Sequence, residues 1–314
     1  MKKSKVYFKP VENQSQWNDA AREVLEKFIA AQDLKLEDKL TLKIHSGEPG
    51  NISFIQPSEM NGVIDFLEER NIKATFMETN TASGPRSKGE NHREIAREHG
   101  FTRLPFKIAD GDDGKDHVLV PIKNGKHFNE CKIARLLVES DQVLVISHFK
   151  GHVMTGFGGA IKMLGIGYAS SRGKTEAHAV PEIPEDETID WSKAQLSHDE
   201  HSGKVKWNNA YVYSNVAFME RTAEYALAAT KPNDIHLIYA TNLVKNCDCD
   251  SKKMDPIYPD LGIFASRDPV AIDKAILDSL DQREGKSTYW GRQIFEYSDN
   301  LGLGNQEYEL IEIK

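Results

Sequence analysis

Between Ser147 and His178 the chain reads SHFKGHVMTGFGGAIKMLGIGYASSRGKTEAH, with three His, three Lys, one Arg and no Asp. Glycine recurs through the whole stretch. Each interior glycine costs a helix roughly 1 kcal/mol relative to alanine, so a core helix is not built this way. Glycine lets backbone come close to something, here with imidazole and cationic groups around it. That composition suits an anionic ligand or a metal-bearing cofactor.

His148 and His152 are four residues apart; on a helix they would share a face and could hold one metal. Gly156, Gly158 and Gly159 form a glycine-rich turn entering a short helix, with Lys162 one turn in. Backbone N–H groups at a helix start attract anions. A lysine there adds charge, or attacks an electrophile if its amine is deprotonated. The P-loop spacing GxxxxGK[ST] is absent. A tight helix–sheet contact with a solvated lysine is the plainer alternative. Arg172, Lys174 and His178 follow, while Arg86 and His92 lie beside Glu78 and Asn80. Proton or hydride movement at a 2-hydroxy acid carbon needs a base near neutral pKa, which His supplies. It needs a cation for the carboxylate, for which Arg86, Lys150 and Arg172 are candidates. It also needs an electron or hydride acceptor, which no side chain supplies.

Cys247 and Cys249 flank Asp248. A CxC pair provides two thiolates at most, and a four-sulfur site needs four. Cys131, read as part of a helix, is expected to pack as a small hydrophobe. A self-contained 4Fe-4S cluster is therefore not expected, though the pair with His ligands, His148 included, could hold nickel, zinc or iron. Asp268-Pro269 reads as a helix start, Asp at the N-cap and Pro at the first position. Asp273, one turn in, is expected to favour the same helix terminus.

The elements that must position these groups alternate between strand and helix. Helices are expected over Ser15 to Gln32, Pro57 to Arg70, Asn91 to His99, Cys131 to Glu139, Asn215 to Thr230 and from Asp268 to about Leu280. Strands are expected at Leu40 to His45, Ile72 to Met77, His117 to Ile122, Asp141 to Ile146, Ile235 to Thr241 and Leu261 to Ser266, with a further edge strand at Tyr308 to Ile313. Such alternation predicts an α/β fold, a mostly parallel sheet covered by helices. Residues 1–180 form its core, 181–210 an irregular insertion and 211–314 the continuation. Ligands of such sheets bind at the carboxyl ends of strands, where His45 to Glu48, Glu78 to Asn80 and Ser147-His148 fall.

The chain has 314 residues and a formal net charge of −8, with a sequence pI of about 5.8. That balance argues against general nucleic-acid binding. No run of 18 apolar residues occurs, so no membrane span is expected. The N-terminus lacks an apolar signal-peptide core, and three cysteines make no disulfide framework, so a reducing cytoplasm is expected.

Several strings together resemble the domain-of-unknown-function family 362. They are HSGEPGN (45–51), TNT…GPR…H (79–92), the 147–178 segment, CDC (247–249) and PDLGIFASRDPVAIDKA (259–275). The resemblance covers about residues 40 to 285 and implies an iron–sulfur-centre protein. Family members often carry a ferredoxin-like insertion with two CxxCxxC clusters after the position of His178. Here 181–209 contains no Cys. The pattern H…GFGGxK…G…H is more distantly similar to the nickel-pincer lactate racemase family. That resemblance implies His152 as acid/base, Lys162 as anchor of a pyridinium-derived cofactor and His178 as a nickel ligand, at intervals of 10 and 16 residues. The expected function is isomerase or redox chemistry on a small anionic, hydroxy-acid-like substrate. The alternatives are a non-catalytic metal- or anion-binding module and a subunit of an iron–sulfur redox complex. The expected partners are the small anionic ligand and either a redox protein or a second copy of the chain.

Overall fold

The computed structural model describes residues 3–178, 196–197, 204–207, 210–213 and 215–314. The first part runs β1 (Ser4–Pro10), α1 (Trp17–Ala31), β2 (Lys39–Lys43), α2 (Asn61–Glu68), β3 (Lys73–Glu78), α3 (Gly89–Glu98) and β4 (Phe106–Ile108). A hairpin of β5 (His117–Pro121) and β6 (Glu130–Ala134) leads through α4 (Arg135–Glu139) into β7 (Val143–His148). Then come the short pair β8 (Lys150–His152) and β9 (Gly156–Gly158), α5 (Ala160–Gly165) and α6 (Ser171–His178). The remainder is β10 (Leu196–Ser197), β11 (Lys204–Trp207), β12 (Ala210–Tyr213), α7 (Asn215–Ala229), β13 (Ile235–Ala240), β14 (Leu243–Val244), β15 (Pro256–Tyr258), β16 (Gly262–Ser266), α8 (Pro269–Glu284), α9 (Gln293–Leu301) and β17 (Tyr308–Glu312).

Eight of these strands make one sheet, in the order β17-β1-β16-β13-β7-β2-β3-β4. Only β16 runs against the others, pairing antiparallel with both β1 and β13. The fold is the expected α/β class with a mostly parallel sheet. Its central strand β7 shows why: all six of its residues are buried, as in a strand covered on both faces. Val143 and Val145 join a core with Ile161, Phe218, Ile238, Phe264 and Ile276. Leu144 and Ile146 join the other core, with Val24, Phe28, Val63, Leu67 and Phe76. The two cores are the two faces of one sheet, reached by the period-2 alternation of one strand. Each such side chain contributes roughly 1.5–3 kcal/mol on burial. No helix among the described residues is long and apolar enough to cross a membrane.

Several local expectations change. Cys131 lies on strand β6, and the helix begins only at Arg135. The reason is a period of 2: Cys131 and Ile133 are buried while Glu130 is exposed and Lys132 intermediate, and β5 supplies the pairing partner. Strands β1 and β4 and helices α6 and α9 form where the sequence pattern predicts no element. In the 181–210 segment, β10, β11 and the start of β12 belong to a three-stranded antiparallel sheet; the rest of the irregular insertion lies outside the described residues. At the start of α8, Asp268 accepts hydrogen bonds from the N–H groups of Val270 and Ala271, with Pro269 at the first position, as expected.

Candidate functional site

The carboxyl ends of β2, β3 and β7 gather charged side chains inside the protein. Lys43, the last residue of β2, is fully buried and donates to Glu78 Oε1 at 2.8 Å and to the Ile44 carbonyl at 2.7 Å. Glu78 ends β3 and also receives Arg86 Nη1 at 3.0 Å on Oε2. Arg86 Nε donates to Glu48. Burial works against the Glu78 carboxylate, but Lys43, His45 and Arg86 hold its pKa well below the usual range. His45 accepts the Gly47 N–H on Nδ1 at 3.1 Å. Burial and the Arg86 cation push its pKa down to about 3. One strand further, His148 Nδ1 lies 2.9 Å from Asp248 Oδ2, and its Nε2 lies 3.0 Å from the Thr241 carbonyl. Lys150 Nζ meets the same Asp248 oxygen at 3.1 Å. A cavity of about 10 Å³ sits here, lined by His45, His148, Asp248 and apolar residues including Ile44 and Met60, enough for about one water.

Beside this lattice stands a second group. Lys162, half-buried on α5, brings Nζ to 3.7 Å from Cys247 Sγ. His152 lies close enough to the same sulfur for the two groups to shift each other's pKa. Its Nδ1 accepts from the Thr155 N–H at 3.1 Å and lies 2.9 Å from Thr155 Oγ1, so its proton belongs on Nε2. Burial and Lys162 lower the His152 pKa to about 4. A hydrogen bond from Cys249, then Lys162 and His152, outweigh burial and hold the Cys247 thiol well below its usual pKa. His178 places Nδ1 2.7 Å from the Lys174 carbonyl, and its ring lies 4.3 Å from that of Phe218. Phe218 also faces His152 at 6.4 Å. Burial leads, and Lys162, His152 and Lys174 contribute, in lowering the His178 pKa to about 3. The structure therefore brings His152, Lys162, His178 and Cys247 into one neighbourhood.

Other expected site residues stand differently. His148 and His152 end two successive strands, so they do not share a helix face. A Cβ on Gly151 would lie 1.9 Å from the Lys245 carbonyl, and this close approach keeps the segment extended. Gly159 abuts Asp273: a Cβ there would lie 2.1 Å from Oδ1. That carboxylate reaches over from α8 and accepts the Ala160 and Ile161 N–H groups at 2.7 and 3.0 Å. It takes the amides at the start of α5 that were expected to attract an external anion, and it does not serve its own helix. Gly156, at φ +80°, packs against the Trp290 carbonyl, and Gly158 lies under the Lys162 and Lys150 chains. Arg172 is half-buried, whereas its neighbour Lys174 is buried and donates to Thr79, Asn80 and Ala169. Cys131 is apart from the other cysteines, with Sγ 3.8 Å from the Glu224 carbonyl. Among the described residues no three His, Cys, Asp or Glu side chains are placed to hold a metal ion. Lys43, Asp248 and Asp273 were missed as site residues. Lys43 had a signal: a lysine inside the apolar run Leu40 to Ile44.

Comparison with solved structures finds lactate racemase apoprotein from Thermoanaerobacterium thermosaccharolyticum, 14% identical, with a TM-score of 0.47, covering 85% of this chain and 54% of that one. A protein from Thermotoga maritima is 13% identical, with a TM-score of 0.47, covering 93% of this chain and 60% of that one. The chain spans between half and two thirds of both proteins. No curated protein sequence matches it. The family model described as a domain of unknown function (DUF362) matches residues 40–278, and the chain belongs to that family.

Proposed function

We propose that the chain binds a metal-bearing or organic cofactor beside Lys162 and carries out isomerase- or redox-type chemistry on a small anionic, hydroxy-acid-like substrate. One observation supports this above the rest. Lys43, Lys150 and Lys174 are buried on internal acceptors, but Lys162 meets only the Cys247 sulfur among the described residues. Its amine thus has no carboxylate or carbonyl partner among the described residues and is available to a ligand, with two imidazoles at hand. His178, with Nδ1 on a backbone carbonyl, has the orientation of metal-ligating histidines. Among the described residues there is no closed set of metal ligands, so a metal held by them would arrive with ligands of its own. Such a cofactor would supply the electron or hydride acceptor that side chains lack.

In this reading Lys162 holds the cofactor, His178 offers its remaining ring nitrogen to the metal, and His152 is the acid/base group between substrate and site. Burial holds both imidazoles neutral, as an acid/base group must be before it accepts a proton and a metal ligand must be before it coordinates. Glycine and backbone contacts around β8 and β9 fix His152 in place. A binding module without turnover is the second reading, in which Lys162 and the imidazoles hold an anionic ligand with no further chemistry.

The test is protein purified anaerobically from its native cells, measured by elemental and intact-mass spectrometry. We expect near-stoichiometric metal or a mass adduct on Lys162. Lys162→Ala should lose it while keeping the far-UV circular dichroism of the parent. Ligand binding unchanged in that variant would remove the hypothesis.

A further inference from the structure

We propose that Cys247 and Cys249 form a redox-active dithiol: Cys247 is oxidised first by a hydroperoxide, and Cys249 resolves it as an intramolecular disulfide. The geometry divides these roles. Cys247 is 6% exposed, with its sulfur 3.7 Å from the Lys162 ammonium. A cation beside a sulfur favours the thiolate, which is the nucleophilic form. Cys249 is exposed, and its N–H points at Cys247 Sγ from 3.5 Å. The nucleophile is thus sheltered and electrostatically supported, and its partner lies at the surface in contact with it. A metal-binding role gains no third ligand here among the described residues.

The steps balance. The Cys247 thiolate attacks the terminal oxygen of the hydroperoxide, the O–O bond breaks, and the departing alkoxide takes a proton to become an alcohol. Cys247 is now a sulfenic acid. The Cys249 sulfur then attacks the Cys247 sulfur, the S–O bond breaks, and water leaves with the thiol proton. Two thiols have been oxidised to a disulfide and the peroxide reduced; an external dithiol reverses the change. Oxidation removes the negative sulfur from Lys162, so the state of the pair would tune the amine assigned above to a cofactor. The dithiol itself does not rest on that assignment.

The experiment treats the reduced full chain with equimolar hydrogen peroxide, quenches it, blocks remaining thiols with N-ethylmaleimide in denaturant so that buried thiols also react, and maps tryptic peptides by mass. Cleavage after Lys245 and Lys252 yields one peptide holding both cysteines. We expect it unalkylated and lighter by two hydrogens, while Cys131 is fully alkylated. In Cys249→Ser, dimedone should trap a sulfenic acid at Cys247. In Lys162→Met, oxidation of Cys247 should slow by about tenfold. Full alkylation of both cysteines after peroxide, or oxidation beginning at Cys131, would overturn the proposal; the unsubstituted chain alone decides this.

Discussion

Glu78 is the residue on which the buried charges converge. It answers Lys43 and Arg86 and accepts the Thr79 N–H at 3.1 Å. Replacing it by glutamine keeps its size but leaves buried Lys43 without a countercharge and Arg86 with Glu48 alone. Breaking a buried pair in this way costs about 3–5 kcal/mol, so Glu78→Gln should lower the urea midpoint sharply. An unchanged midpoint would mean that the cations find other partners. The pH sign follows from the depressed pKa of Glu78 in the folded chain. Its stabilisation is present above its ordinary pKa of 4.5 and is lost as pH falls below that value. The sequence made part of this legible, because strand ends in parallel sheets gather function and Glu48, Glu78 and His148 fall there. The pairings did not follow from it, since Asp248 reaches His148 across 100 residues of chain.

At the scale of elements, α5 shows how a helix that holds the key lysine is fixed by another helix. A six-residue helix cannot stand alone, and the carboxyl group of Asp273 on α8 takes its first two amides. Gly159→Ala would drive a Cβ into that carboxyl group. Overpacking of this kind costs about 1–3 kcal/mol; a thermal melt at the parent temperature would show that α8 can retreat. Burial raises the Asp273 pKa to about 7, so the linkage is opposite to that of Glu78. Its contribution is fully present below 3.8 and lost as pH rises through about 7. The stability advantage of the parent over Asp273→Asn should therefore shrink between these limits in denaturant titrations. A gap that widens with pH would show Asp273 to be ionised in the fold. The glycine spacing signalled close contact correctly, but composition could not say whether the neighbour was a ligand or the chain itself. The sequence assigns Asp273 to its own helix start, because sequence distance hides which terminus a carboxylate reaches.

At the scale of the molecule, segments far apart in sequence build one sheet: β7 pairs with β13, and β1 lies between β16 and β17. Alternating strand and helix patterns made the α/β class legible, because a strand covered on both faces must be apolar throughout. The position of β1 was not legible, since its one antiparallel and one parallel neighbour both come from the far end of the chain. This arrangement also settles which cysteines can meet. Cys131 is packed in the apolar core that holds Leu137 and Ala226, whereas Cys247 and Cys249 stand beside Lys162. A four-iron cluster needs about four thiolates within one small sphere, and this chain contains three cysteines, one of them in that core. Anaerobically purified protein should therefore carry no stoichiometric sulfide and no visible absorption of an iron–sulfur cluster. Iron with sulfide in equal amounts would require a second chain to complete the ligand set. Size-exclusion chromatography would then show a dimer or complex whose iron is lost when Cys247 is replaced by serine.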